Sequence, residues 1–211
     1  MPVLRFGWLT PGYDPLVRLL LPERRFRAAL LAAAGPAPGE RVRDFGCGTG
    51  TLLGMAVAAQ PAARYVGLDP DPVVHSIAGR KLRRAGADAA VQLMSYDGGR
   101  IPFPDGHFDK VLCSLVFCNL TPAGKAAALR ELRRVLRPGG ALHVVEWGPP
   151  AAFWVRPGFW LLRAVGGFVT TGDLAAGKLP GYLREAGFAE VGEERLTDTG
   201  FGTLYRYGGR G

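Results

Sequence analysis

Three glycines at alternate positions, Gly46, Gly48 and Gly50, follow directly on a short apolar run that ends in Asp44-Phe45. Glycine at that spacing lets the backbone take unusual dihedrals and approach a bound molecule closely. Asp44 adds a carboxylate at the tip of the preceding strand, where burial demands a partner, and an ammonium group would supply one. Two further carboxylates end later apolar runs. Asp69 can accept bonds from both hydroxyls of a ribose, or it can cap the helix that starts within Pro70-Asp71-Pro72. Asp97 can accept from the exocyclic amine of an adenine, with the Gly98 N–H offered to a ring nitrogen, or it can be a turn residue. An ammonium, a ribose and an adenine together describe a nucleoside carrying an amino-acid end.

The rival ligand is a nicotinamide dinucleotide. Its GxGxxG fingerprint, counted from Gly46, requires Gly or Ala at position 51, where Thr51 stands. The spacing present is GxGxG behind an aspartate, which favours a ligand without a pyrophosphate. Acid-base candidates are few. Glu146, near the end of the fifth apolar run, is the best placed base, with a salt bridge to an arginine as its alternative role. His107 precedes the fourth run, His75 lies in a helix and His143 in mid-strand, so these read as structural. Cys47, Cys113 and Cys118 form no CxxC pair and no metal spacing, and read as small buried thiols. The fourth run ends Cys113-Ser114-Leu115-Val116, without the Asn/Asp-Pro-Pro-aromatic sequence that serves nucleobase amines.

These residues must be held by alternating strands and helices. Residues 15–34 read as one or two amphipathic helices broken near Pro22 and ended by Gly35-Pro36. Strands follow at 42–45, 64–69, 89–94, 108–115 and 141–147. Helices are expected from Thr51 to Ala59, from Pro72 to about Arg84, and from Thr121 to Leu136, with Thr121 as N-cap and Pro138-Gly139-Gly140 as the stop. Buried strands alternating with helices imply a parallel sheet wound by right-handed crossovers, with its ligand crevice at the carboxyl ends of the strands. Beyond Pro149-Pro150 an aromatic stretch holds Phe153, Trp154, Phe159, Trp160 and Phe168. A helix at 179–186 and two closing strands, 188–196 and 201–207, complete the chain as an antiparallel pair at the sheet edge.

At this point the chain resembles the class I S-adenosylmethionine-dependent methyltransferases, over residues 40–147. "VRDFGCGTG" is similar to their first motif and "YVGLDPDP" to their acidic ribose motif. "IPFPDGHFDKVLCSLVFCNL" is similar to the adenine loop and fourth strand, and "LRELRRVLRPGGALHVVE" to the helix and fifth strand after it. The resemblance implies a Rossmann-like, doubly wound α/β fold with a seven-stranded sheet, mostly parallel with one antiparallel strand near the C-terminus. It implies S-adenosylmethionine as cofactor, released as S-adenosylhomocysteine, with Asp44, Gly46, Gly48, Asp69 and Asp97 in contact; Cys47, Gly50, Pro70, Gly98 and Ser114 lie in the same loops. "GYDPL" at 12–16 is similar to an N-terminal element of quinone-biosynthesis C-methyltransferases, which makes Tyr13 a lid residue over the cofactor. The acceptor pocket is expected to draw on Trp8, Phe117, Asn119, Trp147, Trp154 and Trp160, although core packing accounts for aromatics equally well. Residues 1–211 form a single domain in this reading, with 1–34 as a helical lid and 148–180 as a substrate cap. Many relatives carry histidines near Cys118-Asn119; their replacement here points to methyl transfer by proximity and orientation.

Composition sets the outer bounds. The chain of 211 residues is 48% hydrophobic and 21% charged, which suits one globular domain. No secretory or membrane-spanning segment is read, so a cytoplasmic location is expected. The net charge of +8 comes mainly from arginines on helical faces. No aromatic-basic recognition motif accompanies them, so a small apolar acceptor (quinone-like, lipid or secondary metabolite) is expected rather than nucleic acid. Trp and Phe flanked by Arg in the cap also suit peripheral contact with a membrane. A non-catalytic cofactor-binding or RNA-associated module and a NAD-dependent oxidoreductase are the alternatives.

Overall fold

A computed structural model describes residues 22–211 of the chain. Trp8, Tyr13 and the first part of the expected lid therefore lie outside the described residues. The elements in chain order are α1 Glu23–Ala34, β1 Arg41–Phe45, α2 Thr51–Ala59, β2 Arg64–Asp69, α3 Pro72–Arg84, β3 Val91–Ser95, β4 Phe108–Ser114, α4 Pro122–Val135 and β5 Leu136–Trp147. After these come α5 Arg156–Gly166, α6 Phe168–Ala175, α7 Leu179–Glu185, β6 Ala189–Thr199 and β7 Gly202–Arg210.

The seven strands form one sheet in the order β3-β2-β1-β4-β5-β7-β6. All pairs from β3 to β5 are parallel, and β7 runs antiparallel to both β5 and β6. The expected single reversed strand is thus β7, the inner arm of a closing hairpin whose outer arm, β6, is the sheet edge. Strand order reverses between β1 and β4, the point where an open α/β sheet leaves its ligand crevice.

Register divides the site residues between the two faces of the sheet. Asp44 pairs with Leu112, and Ser114 with Val145. Because side chains alternate along a strand, Val42, Asp44, Leu112, Ser114, Val145 and Trp147 share one face, while Arg43, Phe45, Cys113, Val144 and Glu146 share the other. The first face packs on α1 to α3 through Phe26, Leu30, Leu52, Leu53, Val57 and Leu82. The second packs on α4 and α7 through Leu129, Leu132, Leu179 and Leu183.

Three local readings shift. The strand expected from position 89 begins at Val91, because Asp88–Ala90 makes a short 3-10 turn. α4 ends at Val135, ahead of Pro138-Gly139-Gly140, which lies inside β5; that strand begins at Leu136 and takes up three extra residues as a register shift against β4 between Leu136 and Ala141. The described part of the expected lid, α1, is a core helix, with Phe26 and Leu30 almost fully buried. Thr121 and Asp71 cap α4 and α3 through bonds to Gly124 N and Val73 N. The cap of α3 is therefore Asp71, which leaves Asp69 for other work.

On the second face Arg43 is fully buried with none of its three side-chain nitrogens hydrogen-bonded among the described residues. Its guanidinium lies 5.6 Å from the ring centroids of both Phe45 and Phe108 and 6.0 Å from that of Tyr96. Burial lowers its pKa to about 9, so ring faces take the place of hydrogen bonds around this cation.

Candidate active site

The glycine loop has the backbone that its spacing predicts. Gly46, Gly48 and Gly50 have φ of 70°, 50° and 74°, and a Cβ on Gly46 would stand 2.3 Å from Val116 Cγ2. Side chains are therefore excluded at Gly46 by both backbone and space. Gly48 faces open space. The loop is tied to β2 by Gly46 N–H and Cys47 N–H donating to Leu68 O, and by Gly48 N–H donating to Asp69 Oδ2 at 2.9 Å. Asp69 Oδ1 accepts from Asp71 N–H at 3.0 Å, so one buried carboxylate organises two loops at once. Burial raises its pKa, and the two N–H bonds oppose that rise.

Asp44 and Ser114 stand next to this loop on one sheet face. Both are buried, and Asp44 Oδ2 and Ser114 Oγ have no hydrogen-bond partner among the described residues. Buried polar atoms are normally satisfied, so two orphans at the switch point mark a place for a polar ligand. Desolvation pushes the Asp44 carboxyl up to about 7, against the opposing charge of Arg27. Arg27, on α1, is bonded to Glu23 through Nη2 at 2.7 Å and keeps its buried Nε without a partner among the described residues. The sequence reading missed this residue, because nothing in an arginine-rich helix marks which arginine turns toward Asp44. Leu115, just past β4, has φ of 57°, an unusual backbone for a branched residue at a site.

Asp97 is exposed and accepts from Gly99 N–H at 3.0 Å, which is the turn role, with Gly98 at φ 95° beside it. Pro70 is exposed, and the Cys47 side chain is buried in the core, so only its backbone faces the loop. Glu146 lies on the face opposite Asp44 and is fully buried. Its Oε1 accepts from Trp147 N–H at 2.9 Å and its Oε2 from Cys118 N–H at 3.1 Å. Burial pushes this carboxyl up to about 7, and the N–H bonds limit the rise.

Of the aromatics, Phe117 is fully buried in the core and Trp147 almost so, while Trp154 and Trp160 are more than half exposed. Asn119 is exposed, with Nδ2 donating to Leu115 O at 3.3 Å. A groove of about 430 Å³ lies at the opposite ends of the strands, lined by His143, Glu193, Arg206 and Lys110. Burial and the neighbouring cations lower His143 to about 4. None of the orphaned carboxylate and hydroxyl atoms of the crevice lines that groove.

The crevice fits S-adenosylmethionine by its donor set. A buried carboxylate with one unpaired oxygen could take an ammonium, the acid at the end of β2 could take a ribose, and the glycine loop leaves open space at Gly48. Residues 42–140 match the family described as a methyltransferase domain. The chain is 34% identical over 213 residues to the demethylmenaquinone methyltransferase of Deinococcus radiodurans, covering 95% of this chain and 85% of that one. It is 39% identical over 147 residues to the enzyme of the same name from Thermus thermophilus, covering 69% of this chain and 65% of the relative. A solved S-adenosylmethionine-dependent methyltransferase from Aquifex aeolicus shares the fold at a TM-score of 0.68 and 19% identity, over 93% of this chain and 97% of that one. On this evidence the chain belongs to the class I S-adenosylmethionine-dependent methyltransferases, and within them it is similar to the quinone-biosynthesis C-methyltransferases.

Proposed function

We propose that the acceptor is a demethylated quinone in its reduced form, carrying an apolar tail, and that the methyl group goes to a carbon of its ring. The observation that carries the methyl-donor half of this reading is the orphaned Asp44 carboxylate at the switch point beside a glycine loop. The acceptor half is supported by the names of the relatives and by the apolar cap that follows β5.

S-adenosylmethionine supplies an electrophilic methyl group on a sulfonium, so the protein need not generate one. Asp44 would hold the ammonium, Arg27 the carboxylate, and Asp69 the ribose hydroxyls. Asp97 and the Gly98 N–H would meet the adenine, and Ser114 Oγ would satisfy a polar atom at the same wall. Trp147 would shape the acceptor's apolar surround and exclude water, while Trp154 and Trp160, more than half exposed, would stand outside it at the entrance. Glu146 is assigned as a positioning residue. Its two oxygens are engaged by backbone N–H groups, and it holds the turn at Phe117–Asn119 against the end of β5. Rate enhancement then comes from alignment of acceptor and methyl group, with the quinol's own acidity supplying the nucleophile.

Incubation with methyl-labelled S-adenosylmethionine and a short-tailed demethylated naphthoquinol tests this. Label on a ring carbon of the product is expected. Label absent from the quinol, with cofactor bound, would sink the acceptor assignment.

A further inference from the structure

Among the described residues, seven large apolar side chains are exposed, and six of them lie between positions 153 and 169: Phe153, Trp154, Trp160, Leu161, Phe168 and Val169. The seventh, Val73, is elsewhere. Isolated exposed apolar residues need no explanation, but a cluster on one short segment does. The charge around it is one-sided. Arg156 is exposed, and Arg163 stacks its guanidinium 5.1 Å from the Phe168 ring centroid. The one acid between positions 150 and 178, Asp173, is buried and bonded to Lys125 at 2.8 Å. An apolar, aromatic segment that carries arginines and no exposed acid of its own complements an anionic lipid surface.

The place of the patch gives it a use. α5 sits on the tip of the β6-β7 hairpin so closely that a Cβ on Gly158 would lie 1.6 Å from Gly200 O. That tip is at the carboxyl ends of the parallel strands, the same end as Asp44 and Ser114. Among the described residues no helix is long and apolar enough to cross a membrane, so the contact would be superficial.

We infer that the face made by residues 153–169 docks on an anionic bilayer, so that an acceptor with a long apolar tail enters the crevice from the lipid phase. The route of acceptor entry rests on the quinone reading above; the docking does not. Shallow insertion of the aromatic side chains is driven by apolar burial, and the arginines add attraction to anionic headgroups.

The test is co-sedimentation of the full chain with vesicles of phosphatidylglycerol and phosphatidylcholine, against vesicles of phosphatidylcholine alone. Binding to the anionic vesicles at least about tenfold tighter than to neutral ones is expected, weakening with salt. The double variant F153S/V169S and the charge variant R156E are each expected to lose about tenfold of that binding, while keeping cofactor affinity and turnover of a short-tailed soluble quinol. Protein that stays in the supernatant with both vesicle types would overturn the docking. So would a concentration-dependent dimer in sedimentation velocity that F153S/V169S dissolves, since a second copy would then cover the patch. Vesicle binding without methylation of any quinol leaves the docking standing and removes the acceptor reading; methylation of the soluble quinol without vesicle binding does the reverse.

Discussion

Asp44 combines two costs that a ligand can relieve: its carboxylate is buried, and one of its oxygens is unpaired. Its pKa near 7 in the free protein means that an arriving ammonium must displace a proton at lower pH. Cofactor affinity is therefore expected to fall about tenfold per pH unit below about 7 and to level off above it, with proton release detectable by calorimetry in buffers of different ionisation heat. Asp44→Asn should remove this pH dependence and weaken binding by about 1.5–3 kcal/mol, roughly 10- to 150-fold. The sign for folding is opposite. A carboxyl whose folded pKa is raised above its unfolded value contributes stability below the unfolded value, and loses it as pH rises through about 7. At pH 8 the free Asp44→Asn protein should therefore be more stable than wild type, by about 1–4 kcal/mol in urea unfolding. Glu146 has a similar pKa but different surroundings, because both of its oxygens are occupied. Glu146→Gln is expected to cost about 1–3 kcal/mol of stability and to lower kcat through a displaced 117–119 turn, with no change in the pH-rate profile. Loss of a limb near pH 7 in that profile would instead identify Glu146 as the base.

At the scale of elements, the helical segment after β5 is held by two contacts that local sequence does not announce. Gly158 meets the backbone of Gly200, and Lys125 joins α4 to α6 by bonding Asp173 and the carbonyls of Leu120 and Thr170. Gly158→Ala puts a methyl group against a backbone oxygen that cannot rotate away. It is expected to cost about 1–3 kcal/mol and to impair acceptor turnover while leaving cofactor affinity unchanged, as read by thermal unfolding and a split between acceptor KM and cofactor Kd. What the sequence discloses at this scale is what is local. Alternate glycines declared their positive φ, Pro72 and Pro122 marked the starts of α3 and α4, and alternating apolar runs declared the parallel sheet. What depends on register or on distant partners stayed hidden. Glu146 could be placed on the face opposite Asp44 only once β4 and β5 were aligned. Arg27 could be distinguished from Arg24 and Arg25 only once α1 lay against β1. Asp71 took the capping role considered for Asp69, since its side chain reaches Val73 N–H.

For the whole molecule, a cofactor held as proposed would join β1, β2 and β4 at the switch point and so stabilise the folded chain as a unit. S-adenosylhomocysteine at about 100 times its Kd is expected to add about 2.7 kcal/mol, raising the melting temperature by roughly 5–10 °C for a domain of this size. A chain whose unfolding ignores the ligand would hold no such site. The division of labour is spatial. One end of the sheet carries the unpartnered Asp44 and Ser114 atoms and the exposed apolar segment, and the other end carries the charged groove around His143. A crystal structure of the complex with S-adenosylhomocysteine separates the two ends directly. Ligand density is expected between the ends of β1 and β4, with the ammonium bonded to Asp44 and the ribose hydroxyls to Asp69. Density in the groove lined by His143 and Arg206, or a crevice without ligand at saturating concentration, would rule out this cofactor site.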